Sequence, residues 1–462
     1  MNIGETIYAY SPLQVQNLII SAYGFRWRKR RFGGIFKAEY LKAKERENFT
    51  AAQWKTYENE QLKKIVLHAF DHVPYYKTSF EKHGLNRGSL ENISTDTIAQ
   101  LPLLSKEDVR LHGTGSLLAG LREKKGRFFA SSGSTGTPTQ ILYSHSMHQR
   151  WFALFEGRVR NWAAVSSSEA RGMIGGRRVL PAAKNTTPFF RYNAFEKQVY
   201  FSAYHINAAN AADYAEGMTK HHIRYLTGYA MSNFLLARFL KEQHIKAPQL
   251  KAVITSSEKL TDEMRLLFKE VYGCKTYDGW SGVEACALIS ECEHGSLHIS
   301  PDAGLIEVLD NHLQPVKPGT AGTVYCTGFI NYDQPLIRYN MGDQIILSEN
   351  ICTCGRAMPV VKEILGRTED IVIGRDGREM VRFHSVFNGL KSVKQAQVIQ
   401  QNTGTLIINV VVDEKLCKEE EILIRKRIQS QLGEIDITIK EVSEIPLNKN
   451  GKFQAVISSL KR

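Results

Sequence analysis

The sequence predicts an α/β protein with a large N-terminal part and a small α+β tail. Three observations carry that expectation. β-rich runs recur between helical patterns from about Phe128 onward. The last hundred residues or so change to strands around one charged helix, a normal size for a domain. The 462 residues exceed what one hydrophobic core usually serves.

Taken in order, residues 11–23 (SPLQVQNLIISAY) carry apolar residues at mixed helical spacing and run into FRWRKRRF at 25–32. Basic residues interleaved with aromatics suit peripheral contact with an anionic membrane; they equally suit a helix end whose aromatics pack on the protein body. Thr50 is an N-cap for a long helical pattern that breaks at Val73-Pro74, with residues 50–85 helical throughout. Strand-like runs follow at 176–180, 250–257, 322–329 and 344–347, with a helix over Thr261–Tyr272. In the tail, 371–382, 396–413 and 436–445 read as strands and 415–432 as a helix. No internal repeat is visible.

Composition narrows the function classes. With 43% hydrophobic residues the chain is neither disordered nor low-complexity. Lys+Arg 60 against Asp+Glu 47 gives +13, which favours an anionic partner: nucleic acid, nucleotide or anionic lipid. No nucleic-acid-binding motif accompanies the charge, so no nucleic-acid partner is expected. The seven cysteines all follow residue 270 (Cys274, Cys286, Cys292, Cys326, Cys352, Cys354 and Cys417). An odd, lopsided count points to a reducing compartment and a local metal site rather than a disulfide framework. No secretory-signal pattern opens the chain and no apolar run reaches the ~18 residues of a membrane helix. The expected location is cytoplasmic, with peripheral membrane contact as the only membrane option.

The strongest local signal is RFFASSGSTGTPTQILYSHS at 127–146. Ser131, Ser132, Gly133, Ser134, Thr135, Gly136 and Thr137 are all small, so backbone N–H groups can converge on a phosphate and hydroxyls can add donors. A Walker loop would open a helix with Gly-Lys-Ser/Thr. Here Pro138 follows and the next residues favour a strand, so the loop joins two strands.

This loop resembles the phosphate-binding signature of the adenylate-forming, or acyl-CoA synthetase, superfamily. Four further segments match that superfamily in order. Asp278-Gly279-Trp280-Ser281-Gly282-Val283-Glu284 resembles its adenine-and-magnesium motif, and Arg338-Tyr339-Asn340-Met341-Gly342-Asp343 its ribose motif. Gly366-Arg367-Thr368-Glu369-Asp370 resembles the hinge, and Pro446-Leu447-Asn448-Lys449-Asn450-Gly451-Lys452 the C-terminal lysine motif. The segment QLKKIVLHAFDHVPYYKTSF is similar to the phenylacetate–CoA ligase branch, and the ending GKFQAVISSL to its capsular-polysaccharide-associated (CapK-like) subgroup.

The resemblance implies a large multi-sheet α/β adenylation domain over 1–365 and a small mobile α+β domain over 366–462. It implies ATP-dependent conversion of a small-molecule carboxylic acid to acyl-AMP and pyrophosphate, then transfer to CoA or a carrier-protein thiol. The alternative acceptor is a sugar or amine in polysaccharide or secondary-metabolite assembly, or the substrate is a phenolic cofactor. A non-enzymatic nucleotide sensor would not need the catalytic lysine.

By the same resemblance, the 131–136 loop would cradle ATP phosphates, and Glu284 would hold Mg²⁺, which takes one or two carboxylates and keeps waters. Asp278, Gly279, Trp280 and Ser281 would receive adenine, with Ser257 and Glu258 running beside it. Asp343 would accept from the ribose hydroxyls and Arg367 would reach ribose or phosphate. Lys452 would bridge ATP and carboxylate oxygens in the first step and then leave with its domain. His148, Trp151, Phe152, Tyr229 and Ala285 would line the acid pocket. The sequence departs from the pattern at Val283, where the usual Thr hydroxyl is lost, and at Ser281, Thr139 and Asn340-Met341.

Cys352 and Cys354 form a tight CxCG knuckle, and Cys292 lies upstream with His294 and His298. Three thiols and one imidazole make a Cys₃His set for a structural Zn²⁺. His298, in a strand-like LHIS, is the expected fourth ligand and His294 the alternative.

Overall fold

A computed structural model of the chain describes residues 3–130, 139–177, 179–180, 187–367, 372–375, 379–380, 384–387, 390, 392–412, 415–446 and 453–460. It divides into two compact units: Met1–Met341 with Ile346–Glu363, and Gly342–Ile345 with Ile364–Arg462.

The first unit opens with helices α1 (Ile3–Tyr10), α2 (Leu13–Phe32), α3 (Phe36–Arg46), α4 (Ala51–His72) and α5 (Pro74–Lys82). Thr50 starts α4 through a reciprocal capping box with Gln53, which satisfies two orphan backbone donors. Val73 ends α4 in extended conformation, and Pro74 becomes the first residue of α5, where its missing N–H costs nothing. Strands β1 (Arg127–Ala130) and β2 (Gln140–Tyr143) pair antiparallel from Arg127↔Tyr143, so the glycine-rich segment does join two strands.

A twelve-stranded sheet forms the body. Its strands are β3 (Arg171–Gly175), β4 (Phe190–Asn193), β5 (Gln198–Ser202), β6 (Tyr225–Tyr229), β7 (Ala252–Ser256) and β8 (Lys275–Ser281). They continue with β9 (Leu288–Glu291), β10 (Leu297–Ile299), β11 (Gly304–Leu309), β12 (Ala321–Gly328), β13 (Tyr339–Leu347) and β14 (Val360–Arg367). The spatial order is β11-β12-β13-β14-β10-β9-β8-β7-β6-β3-β5-β4. β5, β3, β6, β7 and β8 run parallel, and β9 turns antiparallel to β8. Parallel neighbours need long crossovers. Helices Ala211–Lys220, Ala230–Glu242 and Asp262–Tyr272 supply them, and Met218, Phe234, Leu236 and Phe268 bury their apolar sides with Ile174, Leu226 and Val253 of the strands.

One expectation is corrected here. The described residues of the run 176–180 form no strand; the strand lies just before it, at Arg171–Gly175. Its two glycines hide it from an apolar pattern. Gly172 is there because a Cβ would lie 2.6 Å from Leu226 Cδ2 and 2.9 Å from Phe201 Cε2 on the neighbouring strands.

The basic-aromatic segment belongs to α2 and packs on the body at several points. Trp27 and Arg30 are buried; Arg30 donates to the Tyr143 carbonyl at 2.7 Å and to His148 Nδ1 at 3.1 Å. Arg31 pairs with the buried Glu196 at 3.0 Å. α2 also covers β4, the edge strand. The N–H groups of Tyr192 and Ala194 donate to Asn17 Oδ1 and Ser21 Oγ, both at 3.0 Å, so helix side chains occupy donors that another strand could otherwise pair with. No described helix is long and apolar enough to cross a membrane.

The second unit holds a four-stranded sheet in the order Asp436–Glu441, Thr405–Val412, Val393–Asn402, Val456–Ser458. Helix Lys418–Leu432 buries Ile424, Ile428 and Leu432 against Val398, Leu406, Ile408 and Val410. The run 396–413 is two strands, not one: Asn402 pairs with Thr405 across Thr403-Gly404, and Gly404 takes φ +110°, which a side chain resists. The run 371–382 contains two short paired strands, Val372–Ile373 and Glu379–Met380.

Candidate functional site

The carboxyl ends of β6, β7 and β8 lie side by side, with Tyr229 opposite Ser256 and Ser256 opposite Gly279. In open parallel sheets, ligands bind outside these strand ends. Tyr229, Ser257, Asp278, Gly279, Trp280 and Ser281 are therefore all brought to one rim. Ser257 has φ +70°, a left-handed conformation uncommon for a non-glycine. Glu258 turns to a neighbouring helix, where its Oε2 accepts the Met231 N–H at 2.8 Å, in the first turn of Ala230–Glu242.

Asp278 Oδ1 accepts from Thr255 Oγ1 at 3.2 Å and from the Gly279 N–H at 3.0 Å. Its own N–H donates to Glu291 Oε2 at 2.8 Å, and Arg265 grips both oxygens of Glu291, at 3.0 and 2.8 Å. Part of the residue reaches solvent, but its carboxyl is enclosed. Burial first, and the charge of Glu291 second, push it up to about 7, while Arg265 pulls the other way.

The segment Gly282–Ala285 is pinned from two sides. Tyr143 Oη, at the end of β2, donates to the Val283 carbonyl at 2.6 Å. Tyr339 Oη, in β13, donates to Glu284 Oε1 at 3.2 Å. Burial and then the Glu284 charge hold the Tyr339 phenol far above its usual value, so it stays a donor. Glu284 is buried, with one oxygen oriented, and Ala285 beside it has φ +48°. Thus elements carrying the loop, the adenine motif and the ribose motif meet through two phenols. Sequence reading missed the roles of Tyr143, Arg265 and Glu291. A tyrosine in an otherwise buried apolar strand was the one available signal for Tyr143.

His148, Trp151 and Phe152 lie on helix His145–Leu154. The His148 ring packs edge-on against Trp27, Phe129 and Tyr143 and tilts against Phe152. Burial first, then the Arg31 and Arg30 charges, push His148 down to about 3, so its ring is neutral and Nδ1 accepts from Arg30. These residues form an aromatic wall behind the β1–β2 hairpin. Asp343 is half-buried in β13, and Arg367 ends β14. Ser131, Ser132, Gly133, Ser134, Thr135, Gly136 and Lys452 lie outside the described residues.

A second cluster lies across β9, β10 and the approach to β14. Ligand atoms of Cys292, His298, Cys352 and Cys354 all fall within 4.8 Å of one another. The β9–β10 hairpin presents Cys292 and His298, and pairing of His298 with Val360 on β14 draws in the loop that carries both remaining thiols. Cys292 Sγ and Cys352 Sγ are 3.7 Å apart. Two thiolates on a tetrahedral zinc, at about 2.3 Å each, would be about 3.8 Å apart. His298 Nε2 faces Cys354 Sγ at 3.4 Å, and Nδ1 faces the Met358 carbonyl at 3.3 Å, the usual orientation of a ligating imidazole. Burial holds this His below its ordinary pKa. Burial raises the Cys352 thiol, but hydrogen bonds from Ser296 and the Cys354 N–H outweigh it and lower the pKa. His294 is exposed and turns to Thr353 Oγ1 instead.

A family model described as the CapK C-terminal domain matches residues 373–459. Protein CapK of Staphylococcus aureus is 23% identical over 98% of this chain and 99% of its own. The chain is CapK-like, and similar to the phenylacetate–CoA ligase branch of adenylate-forming ligases. The phenylacetate-coenzyme A ligase of Thermus thermophilus is 24% identical over 89% of this CapK-like chain and 98% of its own. A crystal structure of 2-hydroxyisobutyryl-CoA ligase in the postadenylation state, complexed with R3-HIB-AMP, shares the fold with a TM-score of 0.71. It is 18% identical and covers 90% of this chain and 91% of that one.

Proposed function

We propose that the protein adenylates a carboxylic acid with ATP, releasing pyrophosphate, and then passes the acyl group to a thiol, CoA in the first instance, releasing AMP. The observation that carries this reading is the convergence of the glycine-rich hairpin, the Glu284 segment and the ribose-motif strand through Tyr143 and Tyr339. Names of relatives support the thiol: several are phenylacetate-coenzyme A ligases.

The chemistry is mostly positioning and charge neutralisation. A carboxylate oxygen attacks the α-phosphorus, the bond to the β-phosphate bridging oxygen breaks, and pyrophosphate leaves. Ser131–Gly136 and Lys452 supply donors for the charge that develops. Trp280, Gly279 and Ser257 receive the base at the strand ends, and Asp343 the ribose. Glu284, buried and oriented by Tyr339, is suited to hold Mg²⁺, which when bound offsets phosphate charge. In the second half, the thiolate attacks the acyl carbon and AMP leaves. Residues 366–462 act as the mobile domain that brings Lys452 in and takes it away. The Cys292, His298, Cys352, Cys354 set is a closed structural zinc site.

Lys452→Ala tests the reading. Pyrophosphate release with a panel of acids should fall by about 10²–10³-fold, as for loss of one preorganised charge-stabilising group. Conversion of a synthetic acyl-adenylate and CoA to thioester should persist. Equal loss of both half-reactions in a folded variant would reject domain alternation. No pyrophosphate release by the unmodified protein with any acid in the panel would reject adenylation.

A further inference from the structure

The face of α2 turned away from the body has a composition that the proposed chemistry does not use. The inward face is accounted for: Gln16, Ser21, Gly24, Trp27 and Arg30 are buried against β4 and the aromatic wall. On the outer face, Val15, Leu18, Ile19 and Phe25 are exposed, Leu18 at 68% and Phe25 at 55%. The Phe25 ring lies against another exposed ring, Phe195, at 5.1 Å. Scattered exposed apolar residues are ordinary; a run along one helix is not.

The charges beside this row are of one sign. Arg26 and Lys29 are exposed within the same turns, and the twenty residues of α2 contain no Asp or Glu. A second copy of the chain would, in a two-fold contact through this face, set Arg26 and Lys29 against their own copies, which repel. A single convex helix with an apolar row and a cationic rim suits a surface that is soft, apolar a few ångströms down and negatively charged above.

We infer that the outer face of α2 docks on an anionic lipid bilayer, with Leu18, Ile19 and Phe25 entering the headgroup boundary and Arg26 and Lys29 meeting lipid phosphates and carboxylates. Arg30 and Arg31, which sequence alone would assign to the same contact, take no part because the body holds them.

The test is co-sedimentation of the full chain with phosphatidylcholine vesicles made with or without phosphatidylserine, at low and high salt. The wild-type protein should sediment only with the anionic vesicles, and less at high salt. R26Q/K29Q should weaken binding by about fivefold per charge removed. L18E/F25E should lose it by at least about tenfold, with an unchanged unfolding midpoint. Absence of wild-type binding, equal binding to both vesicles, or wild-type binding by L18E/F25E would each overturn the inference. So would a wild-type dimer in sedimentation velocity that L18E/F25E converts to monomer, since it would assign the face to a second copy. If a variant misfolds, the lipid and salt contrast on the wild-type protein decides alone.

Discussion

Asp278→Asn should stabilise the first unit at alkaline pH and leave it unchanged in acid. The carboxyl sits at about 7 in the folded protein against an ordinary 3.8, because it is enclosed and faces Glu291. A carboxyl raised on folding makes the native state bind the extra proton between those two values. Stability therefore falls as pH rises from about 4 to about 7, and stays low above it. A displacement of that size is worth at most about 4 kcal/mol; we expect between about 2 and 4, since Arg265 and neighbouring donors relax around the charge. Asparagine keeps the oxygen that accepts from Thr255 and Gly279 and removes the charge, so little else should change. All five tryptophans lie at or before residue 280, within the first unit, so urea unfolding followed by tryptophan fluorescence reports that unit alone. The variant should match the wild type near pH 4 and exceed it at pH 8. Parallel stability curves for the two proteins across that range would show that Asp278 is not held uncharged, and the account of the site's electrostatics would fall.

Three further outcomes follow from the geometry. Purified protein should hold about one Zn²⁺ per chain by elemental analysis, and Cys352→Ala should lose the metal and several degrees of melting temperature. Gly228→Ala should cost more than about 3 kcal/mol or prevent folding, because Gly228 has φ +136° and a Cβ there would strike the Ile174 carbonyl oxygen; denaturation or soluble yield reads this. Tyr143→Phe should cost about 1 kcal/mol by urea unfolding, the net worth of the bond to Val283, and should slow pyrophosphate release more than it weakens ATP binding.

What the sequence reveals depends on how local the physics is. The α4 start at Thr50, the break at Pro74 and the helix expected over Thr261–Tyr272 rest on residues near one another in sequence, and the structure has all three, the last as Asp262–Tyr272 with Thr261 as its cap. The hairpin around the glycine-rich segment and the Cys₃His grouping were also readable, one from a proline after the loop and the other from ligand chemistry. Strand β3 was not, because its Gly172 admits side chains from β5 and β6, which come later in the sequence. The hairpin at Gly404 reads as one long strand because its turn is only two residues. The enclosure of Asp278 depends on Glu291 and Arg265, and no pattern in a single segment announces such a trio.

The cover that α2 provides for β4 has a consequence during synthesis. Asn17 and Ser21 await partners at Tyr192 and Ala194, more than 170 residues downstream. At about 5–20 residues per second, the ribosome needs roughly 9–35 s to make that stretch. For all that time Asn17 and Ser21 have no strand to meet, and Trp27 waits for Phe129 and His148, which come earlier in the chain than β4. The apolar row of Leu18, Ile19 and Phe25 on the outer face is exposed even in the finished fold, so the nascent segment shows it together with an uncovered Trp27. Chaperones that recognise short apolar stretches should therefore engage this protein early, at its first fifty residues, and release them only when the β4 strand has been made.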